Sequence, residues 1–551
     1  LRYRAKQTPN KMALREKVRG IWQGVTWAEY ARQVQAFALF LRSRGFESGD
    51  TLVIASDGSP EWFYADMAAQ SLGGVTVGIY PTNPWPELQY IVRHCRAKVA
   101  VCGDQEQTDK VLEAMRQGEG TPDMQLVLTV DWKGMRQYTD SCLMSWQDAL
   151  TEGQNLAQKA ENIAQWHVSI DQLQATQDAL IVYTSGTTGM PKGARISHRG
   201  ILLNAAMLGQ VHGYSGKPMS VVCYLPLCHV AERMIISAAG VYLTGRVHFV
   251  QSLETFATDL ERAQPTVFLA VPRIWEKFGE TLHRKLPAAW LRRALAPVLR
   301  KKLGLSRARL VLSGAAPIRA SLIDEFASLG IVIQEVYGMT ENLGITTVNF
   351  RGKVRIGSVG QPFAGTRVTL GEGDEILLES PTNTQGYYRE PELTAELFRG
   401  GALHTGDVGR FDSDGYLYIT GRIKDIFKTA KGKYVAPAPI EGRIMEADEV
   451  EQVCLFGVNL PQPVALAVLT EHALTQAREV VESRLQQLLD AINRELPQHE
   501  RLAQLIVVRE RWEVDNGFIT PSLKIKRNQV EKFYHDLVHG LAARAEKVVW
   551  A

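Results

Sequence analysis

Residues 183–193 read YTSGTTGMPKG and directly follow the apolar run Ala179–Val182. The apolar run predicts a strand, and the glycines and hydroxyls after it predict a loop. Such a loop can bring backbone N–H groups and hydroxyls around phosphate oxygens without obstruction by side chains. It is not a Walker A loop, because Lys192 follows Pro191 and precedes Gly193 instead of a Ser or Thr. The stretch predicts a phosphate-binding loop of another type.

The composition indicates a globular chain of several domains. The 551 residues are 45% hydrophobic and 22% charged, and the net charge is only +3, which argues against a nucleic-acid partner. Six cysteines without a CxxC pair favour a reducing compartment over a disulfide framework or a zinc site. No apolar run approaches the ~20 residues that span a bilayer, so we expect a cytoplasmic location.

Alternating helix and strand patterns predict an α/β fold. Residues 26–44 have helical apolar spacing, with Thr26 as N-cap and Glu29 completing a capping box. Strand-like apolar runs recur along the chain at 51–55, 75–80, 99–102, 126–130, 221–225, 247–250, 267–271, 310–313 and 331–336. After residue 403 short hairpin patterns rich in Gly and Asp take over. We therefore expect a large N-terminal domain over 1–422 and a small C-terminal domain over 423–551.

Four further motifs follow the first loop in order. They are SGAAP at 313–317, VYGMTE at 336–341, HTGD at 404–407 and GRIKD at 421–425. Together with residues 183–193, they resemble the motifs of the adenylate-forming superfamily, which includes acyl-CoA synthetases, luciferases and peptide-synthetase adenylation domains. The resemblance implies that family's fold, in which α/β sheet subdomains form the large domain and a small α+β C-terminal domain is mobile.

The resemblance also implies an ATP site, and the residue types suit it. Tyr337 offers a flat face to adenine, and Asp407 and Arg422 can hydrogen-bond a ribose. Glu341 and Thr184 can bind Mg²⁺ through oxygen. The predicted nucleotide-binding residues are Thr184, Ser185, Gly186, Thr187, Thr188, Gly189, Lys192, Gly314, Ala315, Ala316, Pro317, Tyr337, Gly338, Met339, Thr340, Asp407 and Arg422.

The segment ITPSLKIKR at 519–527 resembles the one that delivers the family's adenylation lysine. A lysine at the α-phosphate can neutralise charge while an acyl carboxylate attacks and pyrophosphate leaves. Lys524 is the predicted catalytic lysine. Because Leu523 stands where many relatives carry Gly, Lys526 remains an alternative.

Three stretches resemble long-chain fatty acyl-CoA synthetases, namely 225–233, 271–277 and 427–437. The resemblance places His229 at the acyl-pocket entrance, where we count it with Lys524, Glu341 and Thr184 as a catalytic candidate. It implies that Lys431, Gly432 and Lys433 line the coenzyme A path, and that the hinge lies at Lys424. Arg273 and Trp275 receive no catalytic role.

The resemblance implies a two-step ligation of a fatty acid to coenzyme A through acyl-AMP, with ATP and Mg²⁺ as cofactors. One alternative is a fatty acyl-AMP ligase that loads an acyl carrier protein. Another is a non-catalytic acyl- or nucleotide-binding regulator.

A basic segment predicts contact with a membrane. Residues 284–309 contain nine Lys or Arg and no Asp or Glu. Helical spacing places Trp290 and Val298 on one face, and Arg292, Arg293 and Arg300 on the other. This pattern favours peripheral docking on an anionic inner membrane face, although Pro297 interrupts it and favours an ordinary surface helix.

Overall fold

The computed structural model describes residues 1–184, 190–211, 219–243, 245–520, 524–541, 544 and 546–551. Its central element is a seven-stranded sheet, parallel except for its last strand. In spatial order the strands are Leu143–Ser145, Leu126–Thr129, Ala97–Cys102, Thr51–Ala55, Val75–Ile79, Asp178–Thr184 and Lys192–Ser197. The predicted phosphate-binding loop therefore joins the last two strands of this sheet.

A five-stranded sheet carries the next two motifs. Its strands are Val267–Ala270, Leu310–Ser313, Gln334–Tyr337, Thr347–Val348 and Gln361–Pro362, and the first three are parallel. The SGAAP turn and the residues after Tyr337 both follow the carboxyl ends of neighbouring parallel strands. They therefore lie at one edge of this sheet.

Two four-stranded sheets complete the part before residue 423. One contains Ser220–Cys223, Arg246–Phe249, Met12–Val18 and Ile21–Thr26. The other is antiparallel and contains Arg367–Leu370, Glu375–Glu379, Leu403–Phe411 and Leu417–Arg422. The last two strands carry the HTGD and GRIKD motifs, which places those motifs side by side.

The helices cover the faces of these sheets. Their bounds are Arg2–Gln7, Trp27–Ser43, Pro60–Ser71, Trp85–His94, Gln105–Arg116, Trp146–Leu156, Ala160–Asp171, His198–Val211, Val230–Glu232, Ala239–Tyr242, Phe256–Ala263, Pro272–Lys285, Ala289–Ala294, Ala296–Lys302, Ala320–Ser328 and Pro391–Leu397. The helix predicted over 26–44 is confirmed. The Thr26 hydroxyl accepts from the Glu29 amide at 3.2 Å, and the Glu29 carboxylate accepts from the Thr26 amide at 2.7 Å.

Residues beyond 426 form a core of their own. A four-stranded sheet of Val450–Phe456, Val464–Leu469, Gln504–Val508 and Val548–Trp550 sends alternate side chains to two apolar clusters. Helices Pro437–Ile444 and Arg478–Glu495 cover one face, and Arg527–Leu541 covers the other. A short helix at Glu471–Leu474 and a hairpin of Phe427–Lys428 with Tyr434–Val435 complete the region. The boundary at 422/423 stays a prediction.

Two local expectations are wrong. The strand expected at 331–336 spans Gln334–Tyr337. Ile331 and Ile333 are buried in the core but precede the strand ladder, because an apolar run signals burial as readily as strand pairing. The expected amphipathic helix within 284–309 is two short helices, since Pro297 lies at the start of the second one.

In the basic segment 284–309, the buried and exposed side chains also differ from those expected. Arg292 is buried and pairs with Glu325 at 3.2 Å, whereas 72% of Trp290 is exposed. Arg292 therefore belongs to the protein interior and not to a membrane-facing surface. Among the described residues, no helix combines the length and the apolar composition that crossing a bilayer requires.

Candidate active site

Thr184 and Lys192 lie at the two ends of the predicted phosphate-binding loop. Thr184 and Lys192 are cross-strand partners, and the Thr184 hydroxyl lies 3.5 Å from the Lys192 carbonyl oxygen. The Lys192 ammonium lies 5.4 Å from the centre of the Tyr387 ring. Five predicted loop residues, Ser185, Gly186, Thr187, Thr188 and Gly189, lie outside the described residues.

Glu341 lies in the 3₁₀ turn Thr340–Asn342, which follows the strand Gln334–Tyr337, and only 6% of it is exposed. The Tyr387 hydroxyl donates to its carboxylate at 2.6 Å. Tyr387 thus connects Lys192 and Glu341, a role that the sequence did not indicate. Met339 fixes the turn, because its amide donates to Asn342 Oδ1 at 2.9 Å, and Thr340 is half-buried beside it.

These oxygens fit the magnesium ion that accompanies ATP. Mg²⁺ prefers hard oxygen ligands, and in nucleotide sites it takes one or two carboxylates with phosphate oxygens and waters. The Glu341 carboxylate and the Thr184 hydroxyl both offer oxygen atoms of this chemical kind. Among the described residues, no cluster of three or more His, Cys, Asp or Glu side chains is arranged to hold a metal. The donor set therefore suits an ion that arrives with the nucleotide.

Asp407 is held between two side chains. The Tyr337 hydroxyl donates to one carboxylate oxygen at 2.7 Å, and the Arg422 guanidinium lies 2.8 Å from the other. Asp407 and Arg422 are cross-strand partners on Leu403–Phe411 and Leu417–Arg422, which explains their approach. Burial and the Asp407 charge raise the pKa of the Tyr337 phenol well above its ordinary value. Tyr337 therefore stays a neutral donor with its ring beside Asp407.

The SGAAP turn adopts a strained backbone. Ala315 has a φ of +69°, in the left-handed region that costs an alanine of order 1 kcal/mol, and Ala316 and Pro317 are exposed. A side chain at Gly314 would come within 2.8 Å of Val336. One at Gly338 would come within 2.3 Å of the Gly344 backbone. Both glycines are thus required for chain packing in the walls of the site.

Lys524 is brought to this group from the far end of the sequence. The surrounding protein and the Arg422 charge lower the pKa of its ammonium, and the carboxylates of Asp407 and Glu341 oppose this effect. Its side chain nevertheless remains accessible to solvent. Lys524 is therefore accessible and within electrostatic range of Asp407, Arg422 and Glu341.

His229 lies near the same lysine. Burial and the Lys524 charge lower the pKa of its imidazole to about 4, so it is neutral at physiological pH. Its Nδ1 accepts from the Ala231 amide at 3.3 Å and caps the short helix Val230–Glu232. The structure thus places His229 next to the lysine, and its catalytic role stays a prediction.

Glu232 fixes the chain that leads to His229, and sequence reasoning missed it. It is fully buried, and one of its carboxylate oxygens accepts from the amides of Tyr224 at 3.0 Å and Leu225 at 3.2 Å. Burial raises the pKa of its carboxyl to about 8. The polar triplet Ala-Glu-Arg at 231–233 is typical of an exposed segment, so the sequence does not indicate that Glu232 is buried.

We expect Glu232→Gln to make the protein less sensitive to alkaline pH. A carboxyl whose folded pKa is raised contributes stability below its unfolded pKa, and that contribution is lost as the pH rises towards 8. From pH 6 to pH 9 this loss amounts to about 2 to 3 kcal/mol of the free energy of unfolding. A glutamine keeps the two amide bonds without ionising, so melting temperatures at both pH values should show a smaller drop than in wild type. Glu232→Ala is the control, and it should melt lower at both.

The residues predicted to line the coenzyme A path are not part of the group around Asp407 and Glu341. Lys431, Gly432 and Lys433 form the exposed turn of the hairpin, where the Thr429 amide donates to the Lys433 carbonyl at 2.9 Å. In the described part of the chain, no hydrogen bond or ion pair joins them to Asp407 or Glu341. Gly432 instead lines an open cavity of about 560 Å³, and Lys424 lines the same cavity.

The comparisons with known proteins agree with the motifs. The family model described as AMP-binding enzyme matches residues 1–388, and the AMP-binding enzyme C-terminal domain matches residues 424–546. The chain is 29% identical to the long-chain-fatty-acid–CoA ligase ACSBG2 of Gallus gallus, over 97% of this chain and 79% of that protein. It is 28% identical to the long-chain-fatty-acid–CoA ligase FadD15 of Mycobacterium tuberculosis, over 96% and 94%.

Solved structures share the fold. The o-succinylbenzoate CoA synthetase of Bacillus subtilis, in complex with an acyl-adenylate intermediate, aligns with a TM-score of 0.75 at 20% identity over 96% of this chain and 97% of that one. The predicted fold class, a large N-terminal α/β domain followed by a small C-terminal domain, is confirmed. The motif resemblance is confirmed as well, and the chain belongs to the AMP-binding enzyme family.

Proposed function

We propose that the protein is an ATP-dependent ligase that joins a long-chain fatty acid to coenzyme A. In the first step the fatty acid carboxylate attacks the α-phosphorus of ATP, which gives acyl-AMP and releases pyrophosphate. In the second step the coenzyme A thiol attacks the acyl carbon, which gives acyl-CoA and releases AMP. The observation that carries the proposal is the group of Tyr337, Asp407 and Arg422, with which the charge of Lys524 interacts. The relatives named above support the substrate class.

The described residues have distinct tasks in the first step. Asp407 and Arg422 bind the ribose, and Tyr337 presents its ring to the adenine. Lys524 brings a positive charge to the α-phosphate, where negative charge accumulates as the bond to pyrophosphate breaks. Glu341 and Thr184 would hold the ATP-bound Mg²⁺, which would supply positive charge next to the phosphates. This arrangement suits adenylation.

The second step needs a different arrangement. The charge of Lys524 interacts with Asp407, Arg422 and Glu341, whereas Lys431 and Lys433 lie in an exposed hairpin turn. A rotation of the C-terminal domain about Lys424 would withdraw the lysine and bring the hairpin to the pantetheine thiol. Lys424 lies in the 3₁₀ turn Ile423–Asp425, which directly follows Arg422.

The function is tested with a panel of acids. We would measure AMP and pyrophosphate release for C2 to C20 fatty acids, benzoate and cinnamate, with and without coenzyme A. The proposal requires sustained AMP release with long-chain acids that depends on coenzyme A. A single turnover of acyl-AMP that coenzyme A does not accelerate would instead indicate a ligase that uses a carrier protein.

We also propose that the basic segment docks on an anionic bilayer. Arg284, Lys285 and Arg293 are exposed, and so are Trp290 and 56% of Val298. Cationic side chains attract anionic lipids by about 1 kcal/mol each, and exposed apolar side chains add burial. The protein should therefore co-sediment with phosphatidylglycerol vesicles at low salt and dissociate at high salt.

The matched variants separate this segment from overall charge. Arg284→Glu/Lys285→Glu/Arg293→Glu should abolish co-sedimentation. Lys133→Glu/Arg136→Glu/Lys159→Glu changes the net charge equally at exposed positions elsewhere and should preserve it. Equal loss in both triple variants, or no binding of wild type at low salt, would contradict docking through this segment.

A further inference from the structure

An ion pair connects the C-terminal region to the sheet that carries the nucleotide motifs. Arg273 lies in the first turn of the helix Pro272–Lys285, which follows the strand Val267–Ala270. Its guanidinium pairs with the carboxylate of Glu451, on the strand Val450–Phe456, and its other nitrogen lies 3.3 Å from Glu276. Arg273 therefore bridges two parts of the chain that lie 178 residues apart.

The environment of Glu451 makes this pair strong. Only 6% of the Glu451 side chain is exposed. Arg511, which also belongs to the C-terminal region, pairs with the same carboxylate oxygen of Glu451. A largely buried, hydrogen-bonded carboxylate interacts strongly with its cationic partners, and loss of Arg273 would break the link between the two parts of the chain while Glu451 keeps Arg511. By contrast, Arg319 pairs at 3.2 Å with Asp448, whose side chain is 89% exposed, and such a surface pair contributes little.

The pair lies at the edge of the sheet where the active site forms. The strand Val267–Ala270 is parallel to Leu310–Ser313, which is parallel to Gln334–Tyr337. Arg273 follows the first of these strands, the SGAAP turn follows the second, and Glu341 follows the third. Docking of Glu451 at this edge therefore brings the C-terminal region to the nucleotide residues.

A second set of contacts connects the strand Val450–Phe456 to the segment that contains Lys524. Arg527 donates to the Leu455 carbonyl at 2.9 Å, on the strand that carries Glu451. It also makes two bonds to the Glu441 carboxylate, at 2.6 and 2.8 Å. Because Arg527 follows Lys524 by three residues, the strand that Arg273 holds also fixes the segment that presents the lysine.

We propose that Arg273 and Glu451 are positioning residues that hold the C-terminal domain where Lys524 reaches the α-phosphate, and that their pair breaks before coenzyme A transfer. This inference rests on the proposed two-step function. The pair acts only through the position of Lys524, so it stabilises the arrangement for the first step and not the one for the second. Its loss therefore separates the two half-reactions.

The test uses the full chain with Arg273→Ala, Glu451→Ala and the double variant. Acyl-AMP formation is followed by fatty-acid-dependent exchange of pyrophosphate into ATP, and coenzyme A transfer is followed from supplied acyl-AMP. Each single variant should slow adenylation by about 10- to 100-fold, and the double variant no more than the worse single one. Coenzyme A transfer should stay at or above the wild-type rate, which also shows that the variants are folded.

Two controls sharpen the result. Arg273→Lys keeps the charge and should retain most of the adenylation rate. Arg319→Ala removes the exposed pair and should change adenylation less than about threefold. Equal losses in both half-reactions, or additive losses in the double variant, would overturn the inference. Failure of the wild-type protein to form acyl-AMP would instead overturn the proposed function itself.

Discussion

Replacing Lys524 with alanine should slow acyl-AMP formation by about 10²- to 10³-fold while coenzyme A transfer from supplied acyl-AMP stays near the wild-type rate. The charge of Lys524 interacts with the charges of Arg422, Asp407 and Glu341. A preorganised charge that stabilises a transition state contributes about 3 to 4 kcal/mol, which corresponds to this factor. Single-turnover measurements of each half-reaction check the expectation.

Lys526→Ala is the matched control. Lys526 is two residues away, and its charge acts on Glu87 of the helix Trp85–His94. This variant should retain adenylation within a fewfold of wild type. If Lys526→Ala gave the larger loss, the assignment of the catalytic lysine would be wrong, and Lys526 would take its place.

Replacing Lys424 with proline should slow coenzyme A transfer by about 100-fold and leave adenylation within a fewfold of wild type. Proline locks φ near −65°, which suits the 3₁₀ turn Ile423–Asp425 in the present arrangement. A hinge must adopt different backbone angles after rotation, and an incompatible proline costs about 3 kcal/mol there. Rapid-quench measurement of the two half-reactions separates these effects.

Lys424→Ala removes the side chain without restricting the backbone, so both half-reactions should proceed at close to wild-type rates. Equal slowing of both steps by the proline would indicate a folding defect and argue against a hinge at this position.

Local signals account for what the sequence predicted well. The helix Trp27–Ser43 was predictable because its apolar spacing and its capping box both lie within one short stretch. The strand before the first loop was predictable for the same reason, since Ala179–Val182 is a continuous apolar run. The candidate nucleotide residues were predicted from motifs that each occupy between four and eleven consecutive positions.

Contacts between distant residues account for what the sequence did not predict. Tyr387 reaches Glu341 across 46 positions, and Arg273 reaches Glu451 across 178. No periodicity or spacing encodes such pairs, because they depend on how whole sheets pack. Arg292 shows the same limit, since its burial depends on Glu325 of another helix.

The double anchoring of Asp407 determines what a sugar would encounter there. A carboxylate has about four lone-pair positions, and Tyr337 and Arg422 occupy one on each oxygen. Two positions remain, which equals the number of hydroxyl donors that a ribose presents and exceeds by one the number that a deoxyribose presents. The carboxylate is also oriented before any ligand arrives, so binding would not have to order it. Under the proposed function, selectivity for ribonucleotides would therefore be set by the orientation of Asp407 before the nucleotide binds.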